Sequence, residues 1–283
     1  MKIRLLGTGG PDPSLKRMGS SCLVEAGGDL LLFDHGPGAH HRLLEAGRKA
    51  VEVTHLFFTH LHYDHCCDFP RLFLTRWDQG ARLTEPLRIF GPPGTREMTE
   101  KLFGREGAFS PDLRARTEHP MSLEVFRERG GAPPRPWPVI DVTELAEGAS
   151  AENEGWRLTL ASVPHAQPQL ICYGYRLETP AGVFVHSGDA GPCAAMRALA
   201  EGADVLLHMC GAVTGGEDSA EFASYVMPHK ALAELARDAG VKTLIPTHIN
   251  PKMDAQSARL ISEMKEIYGG NLIWAEDLLE IEI

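Results

Sequence analysis

Apolar residues along this chain fall into short runs bounded by glycine and proline, and the period of each run predicts its element. Residues 2–7 and 21–33 read as strands, with Gly9-Gly10 and Gly27-Gly28 as turns between apolar runs. A short helix is expected over 40–46, with Leu43 and Leu44 inward and His40 and His41 toward solvent. Leu56-Phe57-Phe58 is too short for a helix and reads as a buried strand over 55–59. Phe69, Leu72, Phe73 and Leu74 suggest an amphipathic helix behind Pro70 that ends near Trp77. A strand over 87–90 stops at Gly91-Pro92-Pro93-Gly94, and helix signals resume over 95–103. From 156 onward the pattern gives strands at 157–163, 170–177 and 183–186, a helix at 194–200 and a buried strand at 205–207. The helix at 229–239 places Leu232, Leu235, Ala236 and Ala239 at spacings of three and four, between Pro228 and Gly240. A strand at 244–245, a helix at 255–268 and strands at 271–274 and 279–283 complete the chain. This order fits two sheets packed together with helices outside both. It is read as one domain spanning 1–283.

Composition narrows the class. With 43% hydrophobic and 23% charged residues among 283, the chain is ordinary for a soluble globular protein and large enough for a sizeable core. A net charge of −10 argues against a general nucleic-acid or membrane-surface binder, which needs clustered Lys and Arg. Six cysteines without a Cys-x-x-Cys spacing read as reduced thiols of a cytoplasmic protein. The start is already strand-like, with no charged leader before a long apolar stretch, and no segment has the length of a membrane span.

The chemistry concentrates in Thr59-His60-Leu61-His62-Tyr63-Asp64-His65, where three imidazoles and a carboxylate follow the buried strand. Imidazole with carboxylate suits Zn²⁺ and similar divalent ions. His60 and His62 can point the same way by the alternation of extended chain, while Asp64 and His65 fall on the next turn and can serve a second ion. The spacing therefore predicts two metals. Gly7-Thr8-Gly9-Gly10 lacks the Gly-Lys-Ser/Thr ending of a phosphate loop and reads as a turn.

His-x-His-x-Asp-His after an apolar strand resembles the signature of the metallo-β-lactamase fold superfamily. The segments Leu5–Pro11, Arg17, Ser20, Ser21, Leu30–Gly38, His165, Ser187-Gly188-Asp189 and Thr247-His248 are similar to its ribonuclease Z-like branch. The resemblance implies an α/β fold, a four-layer αββα sandwich with metals at one edge between the sheets. It implies that His60, His62 and His165 hold one ion, that Asp64, His65 and His248 hold the other, and that Asp189 bridges them. It further implies two Zn²⁺ ions, although Mn²⁺ or Fe²⁺ suits the same donors. A metal-bridging hydroxide would then attack the substrate, with Asp64 orienting it and taking its proton. A second histidine at 62, where diiron electron-transfer members carry Glu, favours a zinc hydrolase. Asp34 and Thr59 are either supports for the ligands or a plain turn Asp and strand Thr.

The chain also departs from that branch. Only 23 residues separate His165 from Asp189, so the long basic tRNA-gripping arm is missing. The histidine expected at the start of the last-motif helix falls near Val226, and an expected acidic residue is Met209. His229, one turn later, is either a proton donor in catalysis or a surface histidine at a helix start. His186 and His208, at strand ends near the expected metal edge, are either substrate contacts or structural histidines, the second being favoured.

The segment 104–140 has little apolar periodicity and carries Pro111, Pro120, Pro133, Pro134, Pro136 and Pro138. It reads as an insertion over the active site or at a subunit contact, or as a surface excursion. Over 88–135, nine Lys and Arg against seven Asp and Glu give no basic arm. Together with Phe69, Phe73 and Trp77, the segment could form an apolar substrate pocket.

The resulting expectation is a hydrolase acting on a small molecule, with a phosphodiester or other ester first. Nucleic acid is unlikely as a partner, no membrane is involved, and the family implies a homodimer. The alternatives are a ribonuclease Z-like endoribonuclease, a dehalogenase or lactonase on the same metals, and a non-enzymatic metal-binding accessory protein.

Overall fold

The alternation of apolar residues along each strand splits this chain into layers. In the computed structural model, which describes residues 1–81, 83–216 and 221–283, the strands form two seven-stranded sheets. The first holds β1 (Lys2–Gly7), β2 (Ser21–Ala26), β3 (Asp29–Phe33), β4 (His55–Phe57), β5 (Arg88–Gly91) and β6 (Asp141–Glu144) in sequence order. The second holds β7 (Ser150–Asn153), β8 (Trp156–Ser162), β9 (Tyr173–Thr179), β10 (Gly182–His186), β11 (Val205–Met209), β12 (Thr243–Thr247) and β13 (Asn271–Leu272). The last strand, β14 (Glu280–Glu282), returns to the first sheet and pairs antiparallel with β1. Strands β3 to β6 run parallel, as do β10 to β13.

The helices are α1 (Ala39–Glu45), α2 (Tyr63–Cys66), α3 (Phe69–Gly80), α4 (Thr95–Phe103), α5 (Ser110–Glu118), α6 (Pro120–Glu128), α7 (Ala194–Ala200), α8 (Phe222–Tyr225), α9 (His229–Asp238), α10 (Pro251–Asp254) and α11 (Ser257–Lys265). In β4, Phe57 faces the core between the sheets, where Phe33, Phe90, Trp156 and Tyr175 also pack. Its neighbour Leu56, and Phe58 just beyond the strand, face the other way onto Phe69, Leu72 and Phe103 of the helices. On the second sheet, Val205 and Leu207 point to the inter-sheet core, whereas Leu206 and Leu244 pack on Leu232, Ala236 and Leu260 of α9 and α11. A two-residue period with both faces buried gives strands covered on each side, hence helix, sheet, sheet, helix.

Several local readings change. Leu43 is buried in α1, but Leu44 is exposed and His40, not solvent-facing, is 2% exposed. The segment 104–140 holds two helices, and its prolines 111 and 120 sit in their first turns, where a missing N–H costs nothing. Leu113 and Phe126 are its buried anchors. The Arg135 guanidinium lies over the Trp77 ring at 3.8 Å and bonds Asp78, and Trp137 Nε1 donates to the Phe103 carbonyl at 2.7 Å. These contacts tie the segment to α3 and α4. Phe73, Trp77 and residues 136–139 do line a cavity of about 250 Å³, but it shares no residue with the cavity at the histidine cluster, and Phe69 is core. Among the described residues, none of 104–140 lines that second cavity, so the apolar pocket is not the one beside the histidines.

Candidate metal centre

The carboxyl ends of the parallel strands point to one edge between the sheets, the usual place for a site in open α/β sheets. The chain leaves β4 at Phe57 and enters α2 at Tyr63, so His60 and His62 lie on the connection and Asp64 and His65 on the short helix. Beyond β8 comes His165, beyond β10 comes Asp189, and beyond β12 comes His248. These seven side chains converge. Donor atoms of His60, His62, His165 and Asp189 lie within 4.8 Å of one another, as do those of Asp64, His65 and His248.

The spacings suit divalent ions. A tetrahedral ion about 2.1 Å from its ligands separates them by about 3.4 Å. In the first set, His62 Nδ1 is 2.9 Å from His60 Nε2 and 3.3 Å from His165 Nε2. Asp189 Oδ2 is 3.4 Å from His165 Nε2 and 3.9 Å from His60 Nε2. In the second, His248 Nε2 is 3.2 Å from both Asp64 Oδ2 and Asp189 Oδ2. His65 Nε2 is 3.4 Å from Asp189 Oδ1 and 3.6 Å from Asp64 Oδ2. Asp189 therefore touches both sets. His65 Nε2 is buried without a hydrogen-bond partner, which fits a nitrogen whose partner is a cation.

Behind the donors a hydrogen-bond web fixes ring orientation. The Asp34 carboxylate accepts from the Thr59 amide at 2.8 Å, from Thr59 Oγ1 at 2.8 Å and from His65 Nδ1 at 2.7 Å. With its proton on Nδ1, His65 keeps Nε2 free as a lone-pair donor. His60 Nδ1 bonds Thr59 Oγ1 at 3.0 Å and His165 Nδ1 bonds the Tyr225 carbonyl at 3.2 Å, with the same effect on each ring. Asp34 and Thr59 thus support the donors, as one of the two sequence readings had it.

Backbone strain accompanies this geometry. Asp34 and His248 hold left-handed φ values of 55° and 60°. Gly188 sits at φ 55°, and a Cβ there would lie 2.7 Å from Thr59 Cβ, so the turn before Asp189 requires glycine. His186 Nδ1 accepts from the Gly188 amide at 2.8 Å and holds that turn, while His208 Nδ1 bonds the Met209 carbonyl at 2.8 Å.

Electrostatics follow from burial among opposite charges. Burial pushes the His60 pKa well below its ordinary value, with the neighbouring His65 adding to the shift. Burial also opposes charge on His65, but the Asp189 and Asp34 carboxylates outweigh it and raise its pKa well above the usual. For Asp189, burial is overcome by His248 and His65, and its pKa lies well below the carboxylate range. Buried carboxylates of this kind demand positive charge beside them.

A cavity of about 360 Å³ opens onto the donors, lined by His62, Asp64, His165, Asp189 and His248 together with Tyr63, Met209 and Val226. Val226 and Met209, where the resemblance leads one to expect a histidine and an acid, both face it. His229 does not line it. This ring is fully buried, with Nδ1 accepting from the Thr214 amide at 3.0 Å and Nε2 bonded to Glu263 at 3.0 Å. Its bonds to His229, Lys230 and Arg259 pull the Glu263 pKa down to about 2. His229 is thus a buried link between α9 and α11, not a surface residue.

Residues 23–249 match the family model described as a β-lactamase superfamily domain. The chain is 32% identical over 289 residues to the ribonuclease Z of Mycobacterium sp. (strain KMS), covering all of this chain and 96% of that relative. Among solved structures, the metallo-β-lactamase fold protein YhfI from Bacillus subtilis covers 99% of both chains at 18% identity and a TM-score of 0.71. The short form of human tRNase Z matches 100% of this chain and 99% of its own at 22% identity and a TM-score of 0.69. The two structures share the fold. The relative corrects the expectation drawn from net charge: a ribonuclease resembling the chain end to end overturns a small-molecule substrate with nucleic acid unlikely as a partner. Net charge misled because it averages over the whole surface, whereas substrate choice is local. No helix among the described residues is long and apolar enough to cross a membrane.

Proposed function

Because this chain belongs to the β-lactamase superfamily and, within it, to the ribonuclease Z family, we propose that it cleaves RNA at a phosphodiester bond, using two zinc ions held side by side. It is a metal-dependent hydrolase by family. What supports the reading is the pair of abutting donor sets, joined by Asp189, at the floor of one cavity in such a chain.

His60, His62 and His165 would hold one cation and Asp64, His65 and His248 the other, with the Asp189 carboxylate placed between the two sets. Such cations would neutralise the phosphoryl oxygens and bring the pKa of water to about 7. The residues do the rest. The Asp64 carboxylate, at the cavity wall, orients the attacking water and accepts its proton. The Asp34–Thr59 web holds the imidazoles in the tautomers that leave their donor nitrogens free. Met209 and Val226 give the cavity an apolar wall that limits water around the scissile group. His229 supplies no proton to the cut in this reading, since its Nδ1 accepts from the Thr214 amide and its Nε2–H donates to Glu263, both away from the cavity. Every histidine among the described residues that lines the cavity is a donor of one of the two sets. The departing oxygen therefore takes its proton from Asp64 or from solvent.

The test is incubation of zinc-loaded protein with structured and single-stranded RNA, followed by mapping of the ends. Cleavage at defined internal bonds, abolished in Asp64→Ala with the fold intact, is expected. Intact RNA in the presence of fully loaded protein would sink the reading.

A further inference from the structure

The cavity wall poses a problem for an RNA substrate. Proteins usually grip RNA through Lys and Arg contacts to phosphates. Among the described residues lining this cavity there is no Lys or Arg, and Asp12 adds a carboxylate at the wall. Beyond the hold that the cations would have on the scissile phosphate, binding at this wall needs a contact other than Lys or Arg.

Tyr63 offers it. The residue lies between the donors His62 and Asp64 and lines the same cavity, yet 58% of it is exposed. Its ring is not loose, because its hydroxyl donates to the Pro11 carbonyl at 2.9 Å. The loop that carries Pro11 is pinned in turn: the buried Arg17 guanidinium makes two 2.7 Å bonds to Asp254 and one of 2.6 Å to Thr8 Oγ1. Phe222, which is 47% exposed, and Val226 line other parts of the same cavity. A rigid aromatic face open to solvent, one residue from two metal donors, is the arrangement that stacks an unpaired base.

We propose that Tyr63 is a stacking platform for an unpaired nucleobase adjoining the scissile phosphodiester. This rests on the ribonuclease reading and specifies how it selects substrate: single-stranded nucleotides at the cut, held by stacking with little sequence preference. Every base has a π-face, so no base edge need be read.

The experiment uses zinc-loaded protein and an RNA that it cleaves, together with copies of that RNA carrying an abasic ribose on one side of the cut or the other. In the wild type, one of the two abasic copies raises KM on the order of tenfold, the effect of losing one base–aromatic stack. Tyr63→Ala raises KM on the unmodified RNA by a similar factor, far more than it lowers kcat. The two losses do not multiply when variant and abasic RNA are combined, and Tyr63→Trp restores the sensitivity. The inference is overturned if neither abasic copy raises KM in the wild type, a result that requires no variant to fold. It is also overturned if the losses from Tyr63→Ala and the abasic site multiply. Failure to cleave the unmodified RNA at all counts against the ribonuclease reading instead, so the two failures are distinguishable.

Discussion

Asp34 is the residue whose replacement separates structure from metal binding most cleanly. It is fully buried, and its carboxylate accepts three hydrogen bonds of 2.7–2.8 Å, two from Thr59 and one from His65 Nδ1. In Asp34→Ala the Thr59 amide, the Thr59 hydroxyl and the His65 Nδ1–H lose their partner in a dry site. Each orphaned donor costs about 1–3 kcal/mol, so the variant loses about 3–9 kcal/mol of stability. Asp34→Asn is more telling. Its amide oxygen can still accept from the Thr59 amide, but its NH₂ then faces Thr59 Oγ1 and His65 Nδ1. The His65 ring must present a bare Nδ1 to that NH₂, which moves its proton to Nε2, the atom aimed at Asp189 and Asp64. The second metal set then loses a donor without any change in its own residues. Removing such a supporting partner typically costs 10–100-fold in metal affinity. The assay is zinc titration against a chromophoric chelator, with urea unfolding of the same samples. Asp34→Asn should bind one zinc as tightly as the wild type and the other at least about tenfold more weakly. Two zinc ions bound at wild-type affinity in Asp34→Asn would refute the tautomer argument.

Three further outcomes follow from the same geometry. A Cβ on Gly10 would sit 2.5 Å from His248 Cε1, so Gly10→Ala should push that ring out of the second set and lower RNA cleavage at least about tenfold; wild-type activity in a folded Gly10→Ala protein counts against the packing described. Burial holds the pKa values of His55 and His208 down at about 4, so below pH 6.5 the unfolded chain binds protons that the folded one refuses. Their contribution is nil above pH 6.5, destabilises progressively as pH falls to about 4, and is constant below; each full shift is worth about 3 kcal/mol, and a urea midpoint independent of pH across that window would contradict it. Removing metal with a chelator should lower the melting temperature, because the clustered carboxylates lose their compensating charge, and re-addition of zinc should restore it; an unchanged melting temperature would show that the donors are not bound to metal.

What could be read from the chain depended on distance along it. His60, His62, Asp64 and His65 are legible because ligand spacing is local and follows a buried strand. His165, Asp189 and His248 look like ordinary turn residues, and only the resemblance gathers them, since their meeting is tertiary. The inner strands of both sheets were legible because Leu56 and Phe57, or Leu206 and Leu207, keep the two-residue period of strands buried on both faces, whereas the edge strands β6 and β7, each with one buried residue, were not. The helices α5 and α6 were hidden because Pro111 and Pro120, which read as breakers, in fact start them, and because each buries only one large side chain, Leu113 and Phe126. No local signal links Arg17 to Asp254 or Thr8 to Asp277, bonds that span more than two hundred residues and fix the loop beside His248. The burial of His229, which reads from sequence as a proton donor or a surface histidine at a helix start, was not legible because its partner Glu263 lies 34 residues away on another helix.

The central claim is that these seven side chains cage two cations side by side. Elemental analysis of zinc-reconstituted, gel-filtered protein tests it directly. About two zinc ions per chain are expected in the wild type. His60→Ala and His248→Ala should each lose one, from different sets. A wild-type protein that retains a single ion, or one whose zinc content is indifferent to both substitutions, would contradict it.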